Sequence, residues 1–318
     1  MTKTDLKASA RTWVLTNLPY DRSDVALVAE ISGLPLHELL VVYRNWSSRH
    51  VPARPRTIRK SKAFGANSLV QSFATPLGVI FDDIEKGHDI TRYLSRLISI
   101  GYESRSKPIS RRRHLDLMLN EWGVHHLHLS TTLEPDGFVQ RTGPLLFAVF
   151  TPDTAYIVDV MDHNGWYDSH VVQVMADEWP NDGIIHEIKG NDQFQVVGLS
   201  RQYSDEERAK LRKAGINTLV EFGGRVFMPA TGLSCGGTAS MATLDAANVV
   251  KAIEGFEQRL EADPLFLKPA FEAQNLTYPS DPTFEFAIFP WSGYGVVETK
   301  SMTAIPLGGY DPEGWKRR

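Results

Sequence analysis

Apolar positions return along this chain with two different periods, and the changes of period mark out its elements. Asp24–Ile31 and Leu36–Arg44 carry apolar residues at helical spacing, separated by Ser32-Gly-Leu-Pro35, whose glycine and proline act as stop and start signals. The pair predicts a helix–turn–helix unit, which serves more often for packing than for entering a DNA groove. Val51-Pro-Ala-Arg-Pro-Arg-Thr57 follows; its alternating prolines predict an extended, exposed arm. Helical spacing resumes in Asp89–Ile100, ending at Gly101, and in a helix capped by Ser110 that carries Arg111, Arg112 and Arg113 in its first turn and ends near Gly123.

The period then falls to that of strands: Val124–Ser130, Pro144–Phe150 and Thr154–Met161, the last two joined through Thr151-Pro-Asp153 as a hairpin. An amphipathic helix over Asp168–Trp179 and short strands at Ile184–Ile188 and Phe194–Val197 complete the middle of the chain. Helices preceding a mainly antiparallel sheet make the fold class α+β, with an N-terminal helical, basic extension and a C-terminal α/β extension. The expected domains are 1–62, 63–190 and 191–318. In the last of these, Asp205–Lys213 reads as a helix with a solvated charged face. Thr231–Ser240 is a Gly-rich opening to a helix through Asp245–Leu260. An aromatic, Pro/Gly-rich tail that includes Trp291, Tyr310 and Trp315 suits irregular strands or self-association.

Composition changes this picture in two places. The net charge of −4 hides a basic block: Arg44–Arg113 holds 15 Lys/Arg against 5 Asp/Glu, and no carboxylate lies between Glu38 and Asp82. Such a block suits phosphate contacts through Arg54, Arg56, Arg59, Lys60, Arg111, Arg112 and Arg113; it equally suits an arm docked on the acidic remainder of the chain. One cysteine, Cys235, excludes an intramolecular disulfide, and neither a secretory leader nor a membrane-spanning run is read, so a cytoplasmic protein is expected. The spacing around Cys235 does not match a nucleotide P-loop, and a small buried thiol is the plainer reading of it.

The second place is histidine. Six of the ten histidines lie between His114 and His170, and Trp122-Gly-Val-His-His-Leu-His-Leu-Ser130 carries three of them. On a strand, Val124, His126 and His128 share one face and His125, Leu127 and Leu129 the other. Imidazoles titrate near neutrality and serve as general acids and bases. His126 and His128, with His163 at the end of the third strand, suit proton transfer; Arg141 suits stabilisation of a phosphorane, and Tyr167 or Trp166 the stacking of a base. His126, His128 and His163 with Asp162 equally match a zinc site.

The segment over residues 87–190 resembles the core of the RelE/HigB-type toxins, within the barnase-like and colicin-like RNase superfold. It does so through Trp122–Leu129, Arg141–Phe150 and Ala155–His163, in element order more than in an invariant motif. The resemblance implies RNA cleavage without a metal or other cofactor, and RNA or another polyanion, an antitoxin or the ribosome as partners. The chain departs from it in its length and in its histidines, where relatives use Arg and Lys. A ribonuclease is the leading expectation, and a non-enzymatic nucleic-acid-binding or assembly protein, or a zinc-dependent hydrolase, the alternatives. Oligomeric state stays open.

Overall fold

The computed structural model describes residues 5–162, 169–191, 193–289 and 293–308. In chain order the helices are α1 (Leu6–Asn17), α2 (Val25–Gly33), α3 (Leu36–Ser47), α4 (Lys62–Ala66), α5 (Ser68–Ser72), α6 (Ala74–Lys86), α7 (Leu117–Trp122), α8 (Ser169–Glu178), α9 (Asp205–Lys213), α10 (Ser240–Ala262) and α11 (Lys268–Glu272). The strands are β1 (Thr57–Lys60), β2 (Val124–His128), β3 (Leu145–Phe150), β4 (Thr154–Met161), β5 (Ile185–Glu187), β6 (Val220–Phe222), β7 (Arg225–Pro229), β8 (Phe284–Phe289), β9 (Gly293–Glu298) and β10 (Thr303–Gly308). The fold is α+β. Among the described residues, no single helix is long and apolar enough to cross a membrane.

The chain divides into two compact units, Met1–Arg44 with Ala242–Arg318, and Asn45–Met241. This differs from the expected division into 1–62, 63–190 and 191–318 because pairing is non-local at both ends. In the first unit the Leu6 N–H at the start of α1 donates to the Glu257 carboxylate of α10, and the Phe286 N–H of β8 donates to the Ser9 hydroxyl. The predicted helix pair is present as α2 and α3, bent by 114°. The strands expected in the tail are β8, β9 and β10, which form an antiparallel meander.

The second unit is built on a four-stranded sheet of order β1-β4-β3-β2. Both faces are apolar. Val124, Phe147, Val149, Tyr156 and Val158 pack with α8 and with Ile185, Val220 and Phe227 of the β5-β7-β6 sheet. Leu127, Leu146, Ala148, Ile157 and Val160 pack with Leu77, Ile80 and Ile84 of α6 and with Tyr93, Leu94 and Ile98. The β3–β4 hairpin turns at 151–153 as its sequence predicts.

Four local expectations are corrected. The proline-spaced arm is not free, because β1 pairs in parallel with β4, Thr57 opposite Thr154 through Lys60 opposite Ile157. Asp89–Ile100 forms 3-10 turns at Thr91–Tyr93 and Arg96–Ser99 instead of a helix. The helix expected from Ser110 begins at α7, where the Asp116 side chain accepts the Leu119 N–H, so the three arginines lie ahead of it and not in its first turn. Phe194 makes one isolated bridge with Asn191 in place of a strand. A further difference is a bulge in β4: Phe147 pairs with Asp159 but Ala148 with Ile157, so Val160 faces the side of Ile157 and the two-residue alternation of the strand is broken.

Gly87 closes α6 in the left-handed region, at φ 74°, and a Cβ there would lie 2.4 Å from Pro55 N and 2.5 Å from the Arg54 carbonyl carbon. The glycine therefore lets the segment leading into β1 lie against the end of α6. Gly87→Ala is expected to lower stability by about 2 kcal/mol or more, from positive φ and a backbone clash together; urea unfolding of the two proteins checks this.

Candidate active site

The register of β2 on β3 sets the histidines. His126 opposes Phe147 and His128 opposes Leu145, so both lie on the face of Val124, while His125 opposes Ala148 on the face of Leu127. β2 is an edge of its sheet, and His126 lines a cleft of about 210 Å3 beside that edge. The cleft walls come from Arg49, from Ser95 and Leu97 in the 3-10 region, from Ile109, Ser110, Arg112, Arg113 and Leu115–Met118, and from Arg212 and Lys213 at the end of α9. A smaller inner chamber, with Arg49, Leu94, Asp116, His125 and His126 among its lining residues, adjoins the same histidine.

Asp116 is the partner that sequence reasoning missed. Its Oδ2 lies 3.6 Å from His126 Nδ1, while its Oδ1 caps α7 through the Leu119 N–H at 3.1 Å. The signal was present as a capping residue one position before an apolar helix, but its placement beside a strand histidine is tertiary. Burial raises the Asp116 carboxyl above its ordinary range, against the Leu119 N–H and the charges of Arg49 and Arg212, which pull it down. Nδ1 is thus the ring nitrogen of His126 that faces a carboxylate.

The other predicted residues distribute as follows. His128 is buried, accepts the Thr142 N–H on Nδ1 at 3.3 Å, and has its ring centroid 6.5 Å from that of His126; it does not line the cleft. Arg141 is exposed in the loop before Thr142 and is also off the cleft. His163, Trp166 and Tyr167 fall outside the described residues. Arg112 and Arg113 line the cleft, and Arg111 is exposed beside it.

The basic block is largely committed to the protein itself. Arg56 is buried and donates to the carbonyls of Thr151 at 2.7 Å and Pro52 at 2.8 Å, which removes it from any phosphate-facing surface. Arg54 pairs with Asp153 at 2.9 Å, Arg59 pairs with Asp182, and the Lys60 ammonium sits 4.4 Å from the centre of the Phe81 ring. The α9 face expected to be solvated is partly buried too, because Arg212 pairs with Glu121, itself 1% exposed.

His125 is 9% exposed and, among the described residues, neither ring nitrogen has a hydrogen-bond partner; it sits edge-on to Phe150. A second His–Asp pair joins α8 to the β4 bulge, with His170 Nε2 2.9 Å from Asp159 Oδ2 and Asn67 Nδ2 2.7 Å from Asp159 Oδ1. It lines neither cavity. No group of three His, Cys, Asp or Glu among the described residues is placed to hold a metal ion. Cys235 is exposed rather than buried.

Compared with protein-family models, curated proteins and solved structures, the chain matches none of them.

Burial pushes the imidazoles of His114 and His125 down to about 4. In the unfolded chain both titrate near 6.5, so the unfolded state takes up protons that the folded state refuses. The stability this represents is complete above about pH 6.5 and is lost as the pH falls from there to about 4, roughly 3 kcal/mol for each group. Unfolding free energies measured in urea at pH 7 and pH 4.5 should differ by several kcal/mol, and His125→Leu should remove about half of that difference.

Proposed function

We propose that the chain is a metal-independent ribonuclease whose general base is His126. The observation that carries the reading is the placing of His126, backed by Asp116, on the wall of a cleft that also holds Arg49, Arg112 and Arg113. In this reading Nε2 of His126 removes the proton of a ribose 2′-hydroxyl. The 2′-oxygen bonds to the adjacent phosphorus, the bond from phosphorus to the 5′-oxygen breaks, and the imidazolium returns the proton to that departing oxygen. The products are a 2′,3′-cyclic phosphate and a free 5′-hydroxyl, and the histidine ends as it began. Asp116 stabilises the imidazolium and holds its ring orientation, the part a buried carboxylate plays behind a catalytic histidine. The arginines meet the charge that gathers on the phosphorane oxygens.

Arg141 and His128, chosen from the sequence for the same reaction, are placed less well for it: one is exposed in a loop and the other is buried behind the Thr142 N–H. The cations of the cleft take the role assigned to Arg141.

Bulk RNA should be cleaved at the same rate with and without EDTA. His126→Ala should lower that rate by about 10²- to 10⁴-fold, the range of general acid–base contributions, and Asp116→Asn by less. Thermal melts establish that each variant is folded. Absence of cleavage under both conditions, or full activity in folded His126→Ala, overturns the proposal.

A further inference from the structure

The cleft also specifies which part of a polynucleotide it can hold, an inference that rests on the ribonuclease reading. Its arginines are of two kinds. Arg113 is paired with Glu103 at 2.8 Å and Arg212 with Glu121, so carboxylates offset both charges. Arg49 and Arg112 are instead anchored by carbonyl oxygens. Arg49 Nη1 donates to Ile100 O at 2.9 Å and to His114 O at 3.3 Å. Arg112 donates through Nε to Lys107 O at 2.8 Å, through Nη2 to Arg105 O at 2.7 Å, and through Nη1 to Gly236 O at 3.4 Å.

A carbonyl orients a guanidinium without neutralising it. Both groups therefore arrive at the cleft with fixed direction, Arg112 on carbonyls and Arg49 with Asp116, the one carboxylate among the lining residues, as a nearby counter-charge. Burial also disfavours the charged form of Arg49, so an anion bound beside it relieves that cost. Guanidinium forks match the geometry of phosphate oxygens.

The same cleft is lined by Ile109, Leu115, Leu117 and Met118, apolar side chains suited to the face of a base. Gly237 packs behind three of them: a Cβ on it would lie 2.8 Å from Ile109 Cγ2, 3.0 Å from Leu115 Cδ1 and 3.4 Å from Leu117 Cδ2. This wall is thus held from behind by backbone. At about 210 Å3 the cleft is smaller than the roughly 300–1,000 Å3 of drug-sized ligand sites, and a duplex needs an open groove. Unpaired nucleotides present one phosphate and one splayed base together.

We infer that the cleft is a mononucleotide subsite for single-stranded nucleic acid, with a phosphate on Arg49 and Arg112 and a base against the Ile109–Met118 wall. Binding can be read without turnover, by calorimetric titration of the full chain with 5′-AMP, adenosine and inorganic phosphate. 5′-AMP should bind tightest, with each fragment at least tenfold weaker. Arg112→Gln should weaken 5′-AMP at least tenfold and leave adenosine unchanged, and Arg112→Lys should restore part of the loss. Because Arg112 also ties its loop, Ser110→Glu on the exposed rim supplies a second variant; it adds a negative charge without touching those carbonyl anchors and should weaken 5′-AMP similarly.

Equal binding of adenosine and 5′-AMP, or 5′-AMP affinity unchanged in both Arg112→Gln and Ser110→Glu, overturns the subsite. If 5′-AMP binds as expected but RNA is not cleaved, the subsite stands and the ribonuclease reading falls. RNA cleavage with no Arg112-dependent binding of 5′-AMP leaves the chemistry and removes the subsite.

Discussion

A sheet covered by apolar side chains on both faces leaves no solvent-facing side on which to carry polar chemistry. In the unit formed by Asn45–Met241, β3 and β4 are central and their side chains pack into one core or the other. Burying a charged or hydrogen-bonding group there costs several kcal/mol unless it finds a partner. Polar residues are therefore confined to edges, ends and irregularities. The histidines lie on edge strand β2, and Asp159 sits at the β4 bulge with His170 and Asn67 as partners. Arg59 of β1 and Arg56 just before it lie at the opposite edge, with a carboxylate and a ring for the first and a carbonyl for the second.

The same constraint separates the three neighbouring histidines of β2. His126 faces the side where the sheet meets α7 and the loop before it, so it gains both a carboxylate neighbour and access to a cleft. His125 faces the α6 side, where burial holds it neutral and Phe150 packs against its edge. His128 shares a face with His126 but lies past the cleft, satisfied by the loop at Thr142. Three imidazoles within four positions thus have three environments, and proximity in sequence is a poor guide to shared chemistry.

The basic block shows how charge can mislead. A run without carboxylates reads as a surface seeking an external polyanion. Long side chains, however, reach partners far away in sequence: Arg54 finds Asp153, Arg59 finds Asp182, and Arg56 turns inward to carbonyls. In the cleft, Arg49 and Arg112 are oriented by carbonyl oxygens, and Asp116 is the carboxylate that attracts the Arg49 charge.

Local chemistry by itself determined much of this protein. The α+β class, helices α2, α3, α8 and α9, the β3–β4 hairpin, the stop at Gly123 and the opposed faces of His125 and His126 all follow from period and capping, which act over a few residues. Contacts between distant segments decided the rest. The parallel pairing of β1 with β4 draws a proline-spaced arm into the sheet, and the β4 bulge shifts its parity at one residue. Packing of α1 against α10 and β8 joins the two ends of the chain. Asp116 and Arg212 reach the cleft from a helix cap and a helix end, 10 and 86 residues from His126, and no periodicity within either segment could have brought them to it.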